Sequence, residues 1–306
     1  MLGSSLIKMR VSRSSLESME LGIGKKGRLH KILYGTGVGN GTAIILPIDQ
    51  GLEHGPRDFF ENEDSIDPEY QLKISVDGGY SGIVFQIGLA EKYMSKYAGK
   101  IPLILKINGK TSIPSEESPF SPLTSTVEDA VRLGADAVGY TLYVGSPSQS
   151  DDMFQFNMVR KDAERLGMPI IMWSYPRGEA IESKGGRNSI YAVDYAARVA
   201  CELGADAVKL NMPEYSPEKA SMMPSPYNRH DWTCEEMLRK IVRSAGRTFV
   251  FLSGGEKVSD EILLKRVKDA MEAGVTGFLF GRNIWQRKYE DAIKITQQIK
   301  KIMSEY

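Results

Sequence analysis

Eight short apolar runs recur along the chain, separated by segments whose apolar positions fall three and four residues apart. The runs are TAIILPIDQ (42–50), GIVFQIG (82–88), PLILKING (102–109), AVGYTLYVG (137–145), PIIMWSY (169–175), AVKLN (207–211), RTFVFLSGG (247–255) and GFLFGRN (277–283). Their hydrophobicity is nearly continuous instead of alternating, which marks parallel strands covered on both faces. Intervening segments such as SIYAVDYAARVACELG (189–204) and SDEILLKRVKDAMEAG (259–274) carry the one-sided apolar spacing of helices. The lead-ins repeat as well: LGADAV occurs at 133–138 and 203–208, with looser versions at 77–83 and 273–278. Each puts a glycine where a helix ends in a left-handed turn before the next strand. Eight βα units in one chain predict a TIM barrel of the α/β class over an open, doubly wound sheet.

The barrel is expected as one catalytic domain over residues 41–306, behind an N-terminal extension of residues 1–40. That extension reads as a tail, a cap on the barrel bottom or a subunit contact. Within it, GIGKKG (22–27) matches a dinucleotide-binding fingerprint literally but precedes the first strand, so its context is wrong. YGTGVGNG (34–41) also precedes the strand and lacks the ending of a phosphate-binding P-loop. Both read as flexible connections. Two longer connections, 109–126 and 212–232, are rich in Pro, Ser and Met and fall on the barrel face where active sites form.

Composition narrows the function classes. The 306 residues carry 39 Lys plus Arg and 39 Asp plus Glu, so no net charge favours nucleic acid or an anionic membrane. Cys201 and Cys234 lie far apart with no CxxC, which favours free thiols in a reducing compartment. No apolar run is long enough to span a bilayer, and charges interrupt the N-terminus, so the expected location is the cytoplasm. His30, His54 and His230 form no HxH or HExxH pattern, and no metal site is expected.

Polar residues at the strand ends carry the candidate chemistry. Asp49 closes the first run, Lys106 and Asn108 the third, Trp173, Tyr175 and Arg177 the fifth, and Lys209 and Asn211 the sixth. Period-two alternation puts Trp173 and Tyr175 on one side of their strand, with Arg177 following. Lys209 sits among Ala207, Val208 and Leu210, where an ammonium is costly to bury. A desolvated lysine loses its proton readily and becomes a nucleophilic amine. The bland reading is a structural ion pair, with Asp49 as the partner. Lys106 is either a competing amine or the cation that depresses Lys209. At the other edge, Ser253, Gly254, Gly255 and Gly281 end the last two runs, where barrels hold phosphate on backbone N–H groups, and Arg282 adds a bidentate donor.

From about Leu33 to Gln286 the chain resembles the prokaryotic, archaeal-type class I fructose-bisphosphate aldolases, through LPIDQGLEHGP, MWSYPRG, GADAVKLN, SGG and FGRN in that order. The resemblance implies metal-independent, cofactor-free, reversible cleavage of fructose 1,6-bisphosphate to dihydroxyacetone phosphate and glyceraldehyde 3-phosphate through a Schiff base. It implies Lys209 as the Schiff-base lysine, Tyr175 as the general acid/base and Asp49, His54, Asp58, Trp173 and Arg177 as polar substrate contacts. Ser253, Gly254, Gly255, Gly281 and Arg282 match the phosphate cradle. The loop LNMPEYSPEKASMMPSP departs from many relatives, which places the contacts of Asn211 and its successors in question. A homo-oligomer, an octamer or decamer, is implied too, with no nucleic-acid or membrane partner. Two rivals stay open: a sibling Schiff-base aldolase or transaldolase acting on another phosphorylated ketose, as in heptulosonate synthesis, and a sugar-phosphate-binding barrel without turnover.

Overall fold

The computed structural model describes residues 13–306. Eight parallel strands close into a barrel in sequence order: β1 (Ala43–Pro47), β2 (Gly82–Gln86), β3 (Leu103–Lys106), β4 (Ala137–Val144), β5 (Ile170–Pro176), β6 (Ala207–Leu210), β7 (Phe249–Ser253) and β8 (Gly277–Leu279). β8 pairs with β1 through Ala43 opposite Gly277, which closes the ring. A Cβ on Gly277 would lie 1.9 Å from the Ala43 carbonyl oxygen, so only glycine permits that approach. Helices Pro68–Asp77, Ile87–Tyr93, Val127–Arg132, Gln149–Leu166, Ile190–Leu203, Cys234–Ser244, Asp260–Glu272 and Tyr289–Met303 belong to the connections and the outer layer. None of the helices among the described residues is long and apolar enough to cross a membrane.

Two apolar clusters explain why the strands read as continuous runs. Ile44, Leu46, Ile83, Phe85, Leu105, Val138, Met172, Val208 and Leu252 pack with the helices. Their neighbours Ala43, Ile45, Val84, Ile104, Ala137, Ile171, Trp173, Ala207, Phe249, Phe251 and Leu279 fill the barrel. Strand residues alternate between these two dry environments, so alternation in space leaves none in hydropathy.

The repeated lead-ins have a shared task. Asp206 of the second LGADAV accepts a hydrogen bond from the Ile170 N–H at 2.8 Å, tying β6 to the start of β5. In the looser repeats, Thr276 does the same for the Val250 N–H at 3.2 Å and Ser81 for the Ile44 N–H at 3.1 Å. A polar residue just before each of these strands satisfies a buried N–H at the head of the preceding one.

The N-terminal segment departs from the flexible connection expected for GIGKKG. Residues Ile23–His30 are helical, and Leu16, Met19, Leu29, Ile32 and Leu33 join the apolar cluster inside the barrel. Gly24 is selected by contact, since a Cβ there would sit 3.0 Å from the Gly167 Cα. The Lys25 ammonium is buried between Glu164 at 2.5 Å and Asp206 at 3.0 Å, and Lys31 pairs with Asp136 at 2.8 Å. Both LGADAV aspartates thus receive a lysine from this segment. YGTGVGNG continues the helix to Gly35 and then turns through Gly37, Gly39 and Gly41, all at positive φ. Residues 1–12 of the expected extension lie outside the described residues.

Candidate active site

The strands end earlier than the apolar runs, and this places the polar residues at the barrel mouth. Asp49 lies two positions beyond β1 and Asn211 one beyond β6, while Lys106 is the last residue of β3. Asp49 heads a short helix, Gln50–Glu53, whose chain continues into the loop bearing His54 and Asp58.

Lys209 is 5% exposed and faces the barrel interior opposite Trp173 in the β5–β6 register. Its Nζ lies 5.1 Å from the Trp173 ring centre and 5.6 Å from that of Tyr175, and among the described residues it has no hydrogen bond or ion pair. Burial lowers the proton affinity of this amine, the Asp49 and Glu53 carboxylates pull the other way, and Arg282 adds to the lowering. The depressing cation is therefore Arg282. Lys106 has a different part: its side chain is fully buried and pairs with Glu53 at 3.0 Å, with Asp49 at 3.9 Å. Of the two lysines, one is paired and the other has no hydrogen bond or ion pair among the described residues.

Trp173 fills the space between them, with Lys106 Nζ at 5.5 Å from its ring centre. Gly139 makes the room, because a Cβ there would lie 2.7 Å from the Trp173 ring and 3.1 Å from Lys106 Cδ. Tyr175 is held between charges. Burial raises its hydroxyl well above the ordinary tyrosine range, reinforced by Asp49 and Glu53 and opposed by Arg177 and Lys106. The Arg177 guanidinium covers the Tyr175 ring at 5.2 Å. The phenol is a proton donor at neutral pH.

Opposite, Ser253, Gly254 and Gly255 follow one another at the end of β7, and Gly281 precedes the short helix Arg282–Trp285 after β8. A Cβ on Gly254 would meet the Asn283 amide at 2.8 Å, and one on Gly281 would meet Gln50 Nε2 at 2.6 Å. Asn283, absent from the sequence-based candidates, braces this cradle. Its amide donates to the Gly254 and Glu256 carbonyls at 3.1 Å each and accepts from the Val258 N–H at 3.0 Å. Arg282 lies 3.9 Å from Asp58, which also takes a 2.6 Å contact from His54 Nδ1. Asn211 turns toward Asn188, donating to its side-chain oxygen at 3.0 Å.

The mouth therefore brings together Lys209, Tyr175, Asp49, Trp173 and Arg177, with Arg282 acting on the amine from the β8 side and linked through Asp58 to His54. Glu53 and Asn283 escaped sequence reading because each works through partners distant in the chain. No group of three or more His, Cys, Asp or Glu side chains able to hold a metal ion occurs among the described residues.

A closed barrel with a desolvated, unpaired amine beside a protonated phenol has the layout of barrels that trap carbonyl carbon covalently. The profile of the DeoC/LacD family aldolases matches residues 43–287, and the chain belongs to that family. It is 42% identical over 264 residues to a class 1 fructose-bisphosphate aldolase of Thermoproteus tenax, covering 86% of this chain and 90% of that relative. It is 32% identical over 272 residues to a fructose-bisphosphate aldolase/6-deoxy-5-ketofructose 1-phosphate synthase of Methanocaldococcus jannaschii, covering 85% and 80%. Among solved structures, it superposes with TM-score 0.76 and 38% identity on an archaeal fructose-1,6-bisphosphate aldolase whose catalytic lysine is covalently bound to the carbinolamine intermediate of the substrate. That match covers 90% of this chain and 99% of the other.

Proposed function

We propose that this protein is a class I fructose-1,6-bisphosphate aldolase that reversibly forms dihydroxyacetone phosphate and glyceraldehyde 3-phosphate, with no metal. The observation that carries the reading is the contrast between the two lysines: Lys106 is paired and Lys209 is not. The Lys209 amine adds to the C2 carbonyl of the ketose, and loss of water leaves an iminium. Asp49 accepts the proton of the C4 hydroxyl as the C3–C4 bond breaks, and the bond's electrons pass into the iminium to give an enamine. Tyr175 delivers a proton to C3, which restores the iminium for hydrolysis. Ser253, Gly254, Gly255, Gly281 and Arg282 hold one phosphate, while His54, Asp58, Trp173 and Arg177 contact the rest of the sugar; Asn211 is engaged with Asn188. Gripping the phosphate fixes the carbonyl against the amine, an orientation effect of roughly 7–11 kcal/mol at best.

A second reading, a sibling aldolase or transaldolase on another phosphorylated ketose, is favoured by the double activity in the name of the Methanocaldococcus relative. Cleavage rates on fructose 1,6-bisphosphate, fructose 1-phosphate and a deoxyhexulose phosphate, each with EDTA, separate the two. The bisphosphate is expected to react fastest and EDTA to change nothing. Equal rates, or a preference for the deoxy sugar, would remove the substrate assignment.

We also read the protein as a cytoplasmic homo-oligomer, an octamer or decamer, serving glycolysis or gluconeogenesis. Large exposed side chains on the outer helices support assembly: Phe154 and Met158, four apart, are 72% and 50% exposed. Light scattering at micromolar concentration tests it, with a monomer as the contrary result.

A further inference from the structure

The short helix after β1 carries a residue with no place in the mechanism above. Glu53 Oε1 accepts a hydrogen bond from Lys106 Nζ at 3.0 Å, and its side chain is 14% exposed. The same ammonium donates to the Asn108 carbonyl at 3.0 Å. An ammonium has three N–H donors, so one remains, and the Asp49 carboxylate lies 3.9 Å from the nitrogen, beyond hydrogen-bond reach. The Asp49 side chain is 3% exposed and receives no hydrogen bond among the described residues. A buried carboxylate with a cation close by but not in contact is balanced electrostatically and still has its lone pairs open. The Trp173 ring on one flank, admitted by Gly139, keeps the Lys106 stem from swinging aside.

We propose that Glu53 is a positioning residue: by holding Lys106 away from Asp49, it keeps the Asp49 carboxylate free to take the substrate hydroxyl proton. Without the Glu53 charge, the Lys106 ammonium closes the remaining gap and forms a dry pair with Asp49. Such a pair resists opening, because separating buried charges restores their desolvation cost. The base would then be occupied before substrate arrives. Iminium formation at Lys209 needs no proton transfer to Asp49, and loss of the Glu53 charge, which opposes the lowering at Lys209, would only favour the neutral amine. This inference rests on the Schiff-base reading above.

Glu53→Gln keeps the shape of the side chain and removes its charge. Two rates are compared in the wild type and the variant: cleavage of fructose 1,6-bisphosphate, and borohydride trapping of dihydroxyacetone phosphate, which forms an iminium with no C–C bond to break. The expected result is a kcat for cleavage lowered on the order of 10–100-fold, less than the roughly 10²–10⁴-fold of losing a general base outright, because Asp49 itself remains. KM should stay within about twofold of wild type, and the trapping rate should not fall. Unchanged cleavage would overturn the proposal. So would a parallel fall in cleavage and trapping, which would make Glu53 a general support of the site. A wild-type enzyme that traps nothing would instead sink the Schiff-base reading on which this rests.

Discussion

Replacing each of the two interior lysines by methionine should change stability in opposite directions. Methionine is similar in length and leaves little void. At position 209 it removes an amine that is 5% exposed and without a partner among the described residues. Burial desolvates the amine, and with 5% of the residue still exposed Lys209→Met should be more stable than wild type by no more than the roughly 1–3 kcal/mol of an unsatisfied buried group, while losing all cleavage. At position 106 the same change strands Glu53 and Asp49, whose side chains are 14% and 3% exposed. Removing one member of a buried charge network costs roughly 3–5 kcal/mol, and Lys106→Met should lose stability on that scale.

The pH dependence adds a sign. Burial lowers the folded-state affinity of Lys209 for its proton. Between that lowered value and the ordinary lysine value the unfolded chain binds more protons than the folded one, so this group makes wild-type stability rise with pH. Lys209→Met lacks the term. Its advantage should be complete below the folded value and shrink as pH climbs toward the ordinary lysine value. Equilibrium urea unfolding of the three proteins at several pH values measures this. A Lys209→Met protein less stable than wild type would refute the reasoning, because it would mean that the amine is held by a stabilising partner.

Three further outcomes follow from the geometry. Tyr175→Phe should lower kcat by about 10²–10⁴-fold with little change in KM, as steady-state kinetics on fructose 1,6-bisphosphate would show. Gly281→Ala places a methyl group 2.6 Å from the Gln50 amide and should raise KM for phosphorylated ketose while the rate of unfolding changes little. Lys25→Met leaves Asp206 buried without its cation and should cost roughly 3 kcal/mol in urea unfolding, with kcat for the surviving folded protein unaltered.

The sequence announces the barrel because the same burial that makes the strands also makes their text continuous. Ala43 to Pro47 is buried at every position, with Ile44 and Leu46 against helices and Ala43 and Ile45 inside the ring. Lys209 stands out for the complementary reason: one charge in such a run is a conflict, and the structure gives that amine no hydrogen bond or ion pair among the described residues. The helix at Ile23–His30 was not legible. Three glycines and two lysines in GIGKKG carry the local marks of a loop, and the reasons for helix lie elsewhere, at Gly167, Glu164 and Asp206. Tertiary contact overrides weak propensity there. Glu53 is a similar case: a carboxylate in a polar loop has no periodic signature, and its partner Lys106 is 53 positions away. Strand ends were read too long, since Asp49 and Asn211 continue the apolar runs in one dimension and leave the sheet in three.

The most direct test of the account is reduction with borohydride in the presence of dihydroxyacetone phosphate, followed by peptide mapping. A single adduct on the peptide that contains Lys209, formed equally well in EDTA, is the predicted result. An adduct at Lys106, or reversible binding with no adduct at all, would contradict it.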